Sequence, residues 1–150
     1  MIEIELTREK VALIDDVDYD SIIEYGWRAQ QNQDGRWYAI AWDNRPNFVL
    51  MHRVIMNPPD DLVVDHIDGN GLNNQRFNLQ IITYGENQIL RKGVKGYHWE
   101  SGRSKWKAMI NVNGKPIYLG RFDSEDEAAL AYKNARASFY PNLIFHEEED

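Results

Sequence analysis

A long polar loop between two short apolar segments is the feature that most restricts how this chain can fold. Val63-Val64 precede the loop, which covers residues 68–77, and Leu79–Ile82 follow it. Thr83 and Glu86 then have the spacing of a capping box, in which each side chain bonds the other residue's free backbone N–H at the start of a helix. The sequence therefore predicts the order strand, loop, strand, helix here.

The N-terminal third has the pattern of a small sheet with one helix. Residues 1–14 alternate weakly between apolar and polar types around a turn at Thr7–Lys10, which predicts a hairpin. Residues 18–25 are predicted to form a short helix that Asp18 caps and Gly26 ends. Three strands and two turns are predicted after it: Trp27–Gln31, Arg36–Trp42, Asn47–His52, and turns at Asp34-Gly35 and Asn44–Pro46.

The C-terminal part has the pattern of a hairpin backed by a helix. Apolar and polar residues alternate across Lys105–Val112, Asn113-Gly114 is a strong hairpin-turn signal, and Ile117–Phe122 can return as the next strand. Ser124 and Glu127 form a second capping box before a helix with an apolar stripe. The stripe consists of Ala128, Ala131, Tyr132, Ala135 and Phe139. Because the apolar face of the sheet must meet this helix, the lysine-bearing face is expected to point outward.

The chain as a whole is predicted to be an α+β protein with two domains. The glycines of residues 93–96 indicate a hinge. We expect residues 1–92 to form one domain that includes the N-terminal β-rich segment. Residues 93–142 are expected to form a three-stranded antiparallel sheet packed on one helix, and residues 143–150 a solvated acidic tail.

Charge is distributed unevenly along the sequence. The chain contains 17 Lys and Arg against 24 Asp and Glu, a net charge of −7, which taken alone argues against a nucleic-acid partner. Residues 91–121, however, contain eight basic residues and one acidic residue, a net charge of 8 − 1 = +7. Interleaved with Tyr97, Trp99, Trp106 and Tyr118, these cations are typical of a nucleic-acid contact surface. The alternative is a solvated basic face that balances acidic neighbours.

The complete absence of cysteine excludes several classes of protein. The chain cannot contain disulfides, zinc ribbons, iron–sulfur clusters or a cysteine nucleophile. Its first ten residues are charged and lack the apolar core of a signal peptide. No apolar run approaches the roughly 20 residues that a membrane-spanning helix needs. We therefore expect a cytoplasmic protein without structural zinc.

Four polar residues around the loop form the candidate catalytic site. Asp65 and His66 end the first strand, Asn78 follows Asp65 by 13 positions, and Asn87 follows Asn78 by 9. A carboxylate and an amide oxygen suit a hard divalent cation, and histidine suits a general base near neutral pH. This chemistry fits phosphodiester hydrolysis, with Asn78 tying the loop to the strand. The alternative is structural: an Asp-His pair at a strand end, and turn-forming Asn70, Asn73 and Asn74.

The string D-H-I-D-G-N-x-x-N-N-x-x-x-N-L with a downstream asparagine resembles the HNH nuclease motif, in the cysteine-free form found in phage and intron homing endonucleases. The resemblance implies a ββα-metal core in which His66 is the general base, Asp65 and Asn87 are metal ligands, and Asn78 braces the loop. Because the last motif position is Asn87 rather than histidine, and a neutral amide is a weaker ligand, Mg²⁺ or else Mn²⁺ is implied as the cofactor.

The stretch Met51-His52-Arg53 also resembles the segment that precedes the motif in that family. Arg53 could hold a DNA phosphate. His52 could take part in function, or it could simply pack, since a histidine in an apolar strand is often a satisfied core residue.

A second resemblance is carried by residues after position 93. They are Lys95-Gly96, Trp106, Ala108, Ile110, Tyr118-Leu119-Gly120, Phe122 and the Ala128–Ala135 helix. With them, residues 93–142 resemble the DNA-binding domain of plant ethylene-response factors, the APETALA type. That family lays a three-stranded sheet into the major groove, which implies double-stranded DNA as the partner.

This second resemblance implies a set of outward-facing DNA contacts at Lys95, His98, Arg103, Lys105, Lys107, Asn111, Lys115, Tyr118 and Arg121. Lys105 and Lys107 are expected to hold phosphates, which position a protein without specifying sequence. Glu100, Met109 and Asn111 differ from the base-reading residues of the plant domain, so its base preference does not transfer.

Together the two resemblances imply a metal-dependent DNA endonuclease with a sheet-type DNA-binding module. One ββα site cuts one strand, so we expect a monomer to nick DNA, with double-strand cleavage only where two copies, as a homodimer, meet. Two alternatives remain. One is a non-catalytic DNA-binding regulator with a vestigial nuclease half, and the other is an interaction domain with an incidental basic patch.

Overall fold

The computed structural model describes residues 1–43, 47–91 and 94–146. The chain forms two compact units: Met1–Thr83 together with the described residues from Ile144 onward, and Tyr84–Leu143. The first unit therefore ends ahead of the boundary predicted at residue 92. Within the described residues the fold is α+β, with four small antiparallel sheets and four α-helices, none of them long and apolar enough to cross a membrane.

The first unit begins with the predicted hairpin. β1 (Ile2–Glu5) pairs antiparallel with β2 (Val11–Ile14). A short 3₁₀ helix at Asp16–Asp18 leads into α1 (Tyr19–Ile22). The predicted cap at Asp18 is wrong. The buried Asp18 carboxylate instead accepts hydrogen bonds from Arg76 Nη2 at 2.6 Å and Nε at 2.9 Å, 58 residues away.

A three-stranded antiparallel sheet follows, in the order β3 (Arg28–Gln31), β4 (Trp37–Trp42), β5 (Phe48–Leu50). The turn predicted at Asn44–Pro46 lies outside the described residues. The third strand ends earlier than predicted, because α2 (Met51–Met56) begins directly after Leu50. This helix buries Met51, His52 and Ile55, a helical spacing that places His52 in the interior.

The strand, loop, strand, helix order predicted for the motif region is present. β6 (Val63–His66) pairs antiparallel with β7 (Leu79–Ile82), with Asp65 opposite Gln80. The polar loop between them ends in a 3₁₀ turn at Arg76–Asn78. α3 (Tyr84–Leu90) begins directly after Thr83 and belongs to the second unit.

The polar loop is held by the N-terminal hairpin. Leu13 N donates to Leu72 O at 2.8 Å, and Asn74 N donates to Leu13 O at 2.8 Å, which forms a parallel bridge. The loop also lies close to β4 at Gly71, where a Cβ would be 2.3 Å from the carbonyl oxygen of Trp37. The N-terminal segment therefore determines the course of the loop that carries the motif asparagines.

The second unit contains the predicted three-stranded sheet and helix. β9 (Lys105–Val112) lies between β8 (Tyr97–Glu100) and β10 (Lys115–Phe122), and α4 (Glu125–Phe139) packs against them. Asn113 and Gly114 both have positive φ, as a two-residue hairpin turn requires. Ser124 and Glu127 form the complete capping box at the start of α4.

The core of this unit lies between the sheet and the stripe on α4. Ala128, Tyr132 and Ala135 are buried, whereas Phe139 of the predicted stripe is largely exposed. Gly93 of the predicted hinge lies outside the described residues. Gly96 is fixed rather than hinging: its carbonyl accepts a hydrogen bond from Met109 N at 2.9 Å, and a Cβ on it would overlap the Tyr132 ring.

Candidate active site and candidate nucleic-acid interface

The candidate catalytic residues Asp65 and His66 lie at the end of β6, and both are almost inaccessible, with exposed fractions of 9% and 6%. The Asp65 carboxylate oxygen Oδ2 accepts hydrogen bonds from Gln80 Nε2 and from His146 Nε2, each at 2.9 Å. Burial acts to raise the pKa of Asp65, but the hydrogen bonds from His146 and Gln80 outweigh it and leave that pKa below its usual value. Asp65 is therefore an anion at neutral pH.

His66 is a buried, neutral imidazole. Burial lowers the pKa of His66 below 6.5, although the hydrogen bond with Asn74 and the charges of Asp65 and Asp68 oppose this effect. Its Nε2 lies 2.9 Å from Asn74 Oδ1. Because an amide oxygen can only accept, Nε2 carries the proton and Nδ1 keeps the lone pair that a general base uses.

Asn74 contacts the candidate general base, although its sequence context indicated only a turn former. It is fully buried, and its Nδ2 faces Met51 Sδ at 3.4 Å and Leu72 O at 3.5 Å, which orients Oδ1 toward His66. The sequence signal, an Asn-Asn pair in a polar loop, is the same signal that a solvent-exposed turn gives. The turn reading is therefore wrong for Asn74.

Asn78 makes the contacts of a residue that braces the loop. Its Oδ1 accepts a hydrogen bond from Asp68 N at 3.0 Å, and its Nδ2 donates to Asp68 Oδ1 at 2.8 Å and to Asn73 O at 2.9 Å. Ile67 N also donates to Asn78 O at 2.8 Å. These bonds join both ends of the loop, directly beside His66.

His52 packs, which is one of the two roles left open for it. Its ring lies edge-to-face with His66, with centroids 5.0 Å apart, and with Tyr38 at 6.0 Å. Burial, followed by the charges of His66 and Arg53, lowers the pKa of His52 to about 3. Arg53 donates from Nη1 to Leu62 O at 2.9 Å, and its contact with DNA stays a prediction.

The buried His52 should make the protein less stable in acid. The unfolded chain takes up a proton on this residue below pH 6.5, whereas the folded chain does so only near pH 3. The free energy of unfolding is therefore unaffected by this residue above pH 6.5. It falls as the pH drops toward 3, and the loss is about 2 kcal/mol at pH 5. His52→Phe keeps an aromatic ring and removes the titrating group. Urea unfolding at pH 7 and pH 5 should show a smaller pH-dependent loss in the variant, and equal losses would contradict the assignment.

The donor set at Asp65 suits a hard divalent cation. One ionised carboxylate, beside a neutral histidine, leaves most coordination positions to water and phosphate, as Mg²⁺ and Mn²⁺ sites in nucleotide-processing proteins do. No group of three or more His, Asp and Glu side chains converges within the part of the chain that the structure describes. Asn87 lies in α3 of the second unit, and its pairing with Asp65 stays a prediction.

The outward face of the second unit's sheet carries most of the predicted DNA-contacting residues. Strand pairing aligns His98 with Lys107 and Lys107 with Arg121, and it aligns Met109 with Tyr118. Four more residues lie on this face or beside it: Lys105, Asn111, exposed Arg103 in the β8–β9 turn, and exposed Lys95 before β8. Lys115 is placed differently from the prediction, because it pairs with Val112 and so lies on the helix side of the sheet.

Glu100 neutralises part of this face. Its carboxylate accepts hydrogen bonds from Arg121 Nε at 2.5 Å and Nη2 at 3.3 Å, and it lies 3.8 Å from Lys107 Nζ. Arg121 also donates to Tyr118 Oη at 3.1 Å and stacks over that ring. Lys105 forms an ion pair with Asp123. The cations are therefore held in place, and Glu100 reduces the positive potential that they present.

Comparison with known proteins relates the chain to phage, plant and giant-virus sequences. It is 31% identical over 85 residues to protein 3.8 of Escherichia phage T7, and the match covers 52% of this chain and 70% of the phage protein. The chain belongs to the protein 3.8 family. No family model and no solved structure matches it.

Two other relatives have names that state an activity. The ethylene-responsive transcription factor ERF069 of Arabidopsis thaliana is 36% identical over 87 residues, which are 50% of this chain and 52% of the factor. A protein described as uncharacterized HNH endonuclease L560, from Acanthamoeba polyphaga mimivirus, is 32% identical over 80 residues, 49% of this chain and 41% of that protein. The chain thus spans about half or less of these two relatives.

Proposed function

We propose that this protein is a metal-dependent HNH-type endonuclease that hydrolyses phosphodiester bonds in DNA and binds its substrate through the second unit. The observation that carries the proposal is the buried, neutral His66 beside the ionised Asp65 at the end of β6. The likeness to a viral protein named as an HNH endonuclease supports it.

In this proposal His66 is the general base. Its Nδ1 takes a proton from the attacking water, while the amide oxygen of Asn74 holds the Nε2 proton and stabilises the imidazolium that forms. Asn78 keeps the loop in register, so that Asn74 and His66 stay aligned. A divalent cation bound by Asp65 and Asn87 would neutralise charge on the phosphate and on the leaving oxygen.

The second unit is proposed to place its three-stranded sheet in the major groove of double-stranded DNA. Lys107 and Arg121 lie in adjacent strands on the outward face, where a groove-bound sheet meets phosphates. The likeness to a plant transcription factor supports DNA binding by the protein. Binding here would raise the effective concentration of the nuclease unit at nearby DNA.

Supercoiled plasmid tests the proposal directly. Protein incubated with plasmid and Mg²⁺ or Mn²⁺ should convert it to nicked circles, because one site cuts one strand per visit, and EDTA should stop the reaction. Agarose gels separate nicked from linear and supercoiled DNA. DNA that is bound but never cut with either metal would reject the nuclease and favour the alternative, a DNA-binding regulator, which the transcription-factor relative supports.

A further inference from the structure

The segment that begins at Ile144 is attached to the nuclease unit by a two-point hydrogen bond. The side-chain amide of Gln80 donates to Ile144 O at 2.8 Å and accepts from Ile144 N at 3.1 Å. Gln80 lies opposite Asp65 in the β6–β7 pair. The start of the predicted acidic tail is therefore not free in solvent, whereas residues 147–150 of that tail lie outside the described residues.

This attachment brings His146 to the candidate metal ligand. His146 Nε2 lies 2.9 Å from Asp65 Oδ2, and 24% of the histidine side chain is exposed. The two residues are 81 positions apart in sequence. Gln80 Nε2 also donates to the same oxygen of Asp65 at 2.9 Å, so one side chain orients both the carboxylate and the segment that carries the imidazole.

We propose that His146 is a ligand of the divalent cation held at Asp65, an inference that rests on the proposed function. When the metal binds, the ring proton moves from Nε2 to Nδ1, so that the Nε2 lone pair replaces the hydrogen bond to Asp65. Neighbouring ligands of an octahedral cation, each at about 2.0–2.1 Å from it, are about 2.9 Å apart. The separation of the histidine nitrogen and the aspartate oxygen matches this value. Gln80 then serves as the outer hydrogen-bond partner that fixes ligand orientation.

A histidine ligand changes which metal the site prefers. Oxygen ligands suit both Mg²⁺ and Mn²⁺, whereas an imidazole nitrogen binds first-row transition metals, Mn²⁺ among them, more strongly than it binds Mg²⁺. With His146 in the coordination shell, the site should bind Mn²⁺ more tightly than Mg²⁺. A site made of Asp65 and Asn87 alone would show a smaller difference.

Mn²⁺ binding to the full chain without DNA tests the proposal, and electron paramagnetic resonance provides two readouts. The signal of free Mn²⁺ gives the affinity, and spin-echo modulation detects a coordinated ¹⁴N nucleus. His146→Ala and the more conservative His146→Gln should each weaken Mn²⁺ binding about tenfold or more and remove the part of the ¹⁴N modulation that His146 causes. His98→Ala, a histidine of the second unit, is the matched control and should leave both readouts unchanged.

The outcomes separate this inference from the proposed function. Binding by the His146 variants that is equal to or tighter than wild type would overturn the inference, and tighter binding would identify His146 as a competitor of the metal. Asp65→Asn should abolish Mn²⁺ binding. If Asp65→Asn binds Mn²⁺ as wild type does, the metal site at Asp65, and the nuclease mechanism with it, is wrong.

Discussion

His66→Ala is expected to slow plasmid nicking by at least about 100-fold, the usual contribution of a general base. The variant loses the neutral imidazole that lies beside Asp65 on β6. Among the described residues, this is the only such imidazole that a buried amide orients. DNA affinity should not change, because the outward sheet face belongs to the second unit. Single-turnover nicking rates and gel-shift affinities, measured on the same preparations, separate these two effects.

Asn70→Ala is the matched control for this experiment. Asn70 lies in the same loop and is exposed, and its side chain accepts a hydrogen bond from Leu72 N within that loop. Its loss should change the nicking rate by no more than a few-fold. A His66→Ala protein that nicks DNA at the wild-type rate would remove His66 from the mechanism.

The second large effect is expected on DNA affinity. Lys107→Ala combined with Arg121→Ala should weaken binding about 10- to 100-fold at low salt, and should reduce the slope of log affinity against log salt by about two. Both cations lie on the outward face, and Glu100 loses its two counter-ions when they are removed. The unpaired Glu100 carboxylate then repels phosphate, which adds to the loss.

Lys115→Ala is the control for this pair, because Lys115 lies on the helix side of the sheet. It removes one positive charge without changing the outward face, so it should alter affinity only slightly. Fluorescence anisotropy over a range of salt concentrations measures both quantities. A loss from Lys115→Ala as large as that from the double variant would mean that net charge, not the sheet face, determines binding.

Local signals predicted the second unit well. The Asn113-Gly114 turn and the Ser124–Glu127 capping box act over two to four residues, and the structure contains both. The alternation of Lys105–Val112 likewise fixes which side chains face α4. The face predicted for Lys115 is wrong although local signals suffice to assign it: the two-residue turn pairs Lys115 with Val112, which lies on the helix side of the sheet.

Features of the first unit that depend on distant partners were not predictable in this way. Asp18 has the residue type and position of a helix cap, yet its carboxylate accepts hydrogen bonds from Arg76, 58 residues further along the chain. α2 begins after Leu50, whose side chain makes no cap hydrogen bond. The sequence therefore contains no signal for the start of this helix, and its short apolar segment could equally form a strand. His146 reaches Asp65 across 81 positions, and its sequence neighbours contain no sign of that contact.

The bridge between β2 and the polar loop determines the smallest fragment in which the proposed nuclease site could form. A fragment cut to start at Val63 would keep every residue of the D-H-I-D-G-N motif. It would nevertheless lose Leu13, the hydrogen-bond partner of both Asn74 N and Leu72 O, and with it the contacts that hold the loop in its course. The motif is continuous in sequence, but we expect that it cannot keep its geometry when separated from the rest of the unit. A strand that precedes it by some fifty residues imposes that geometry.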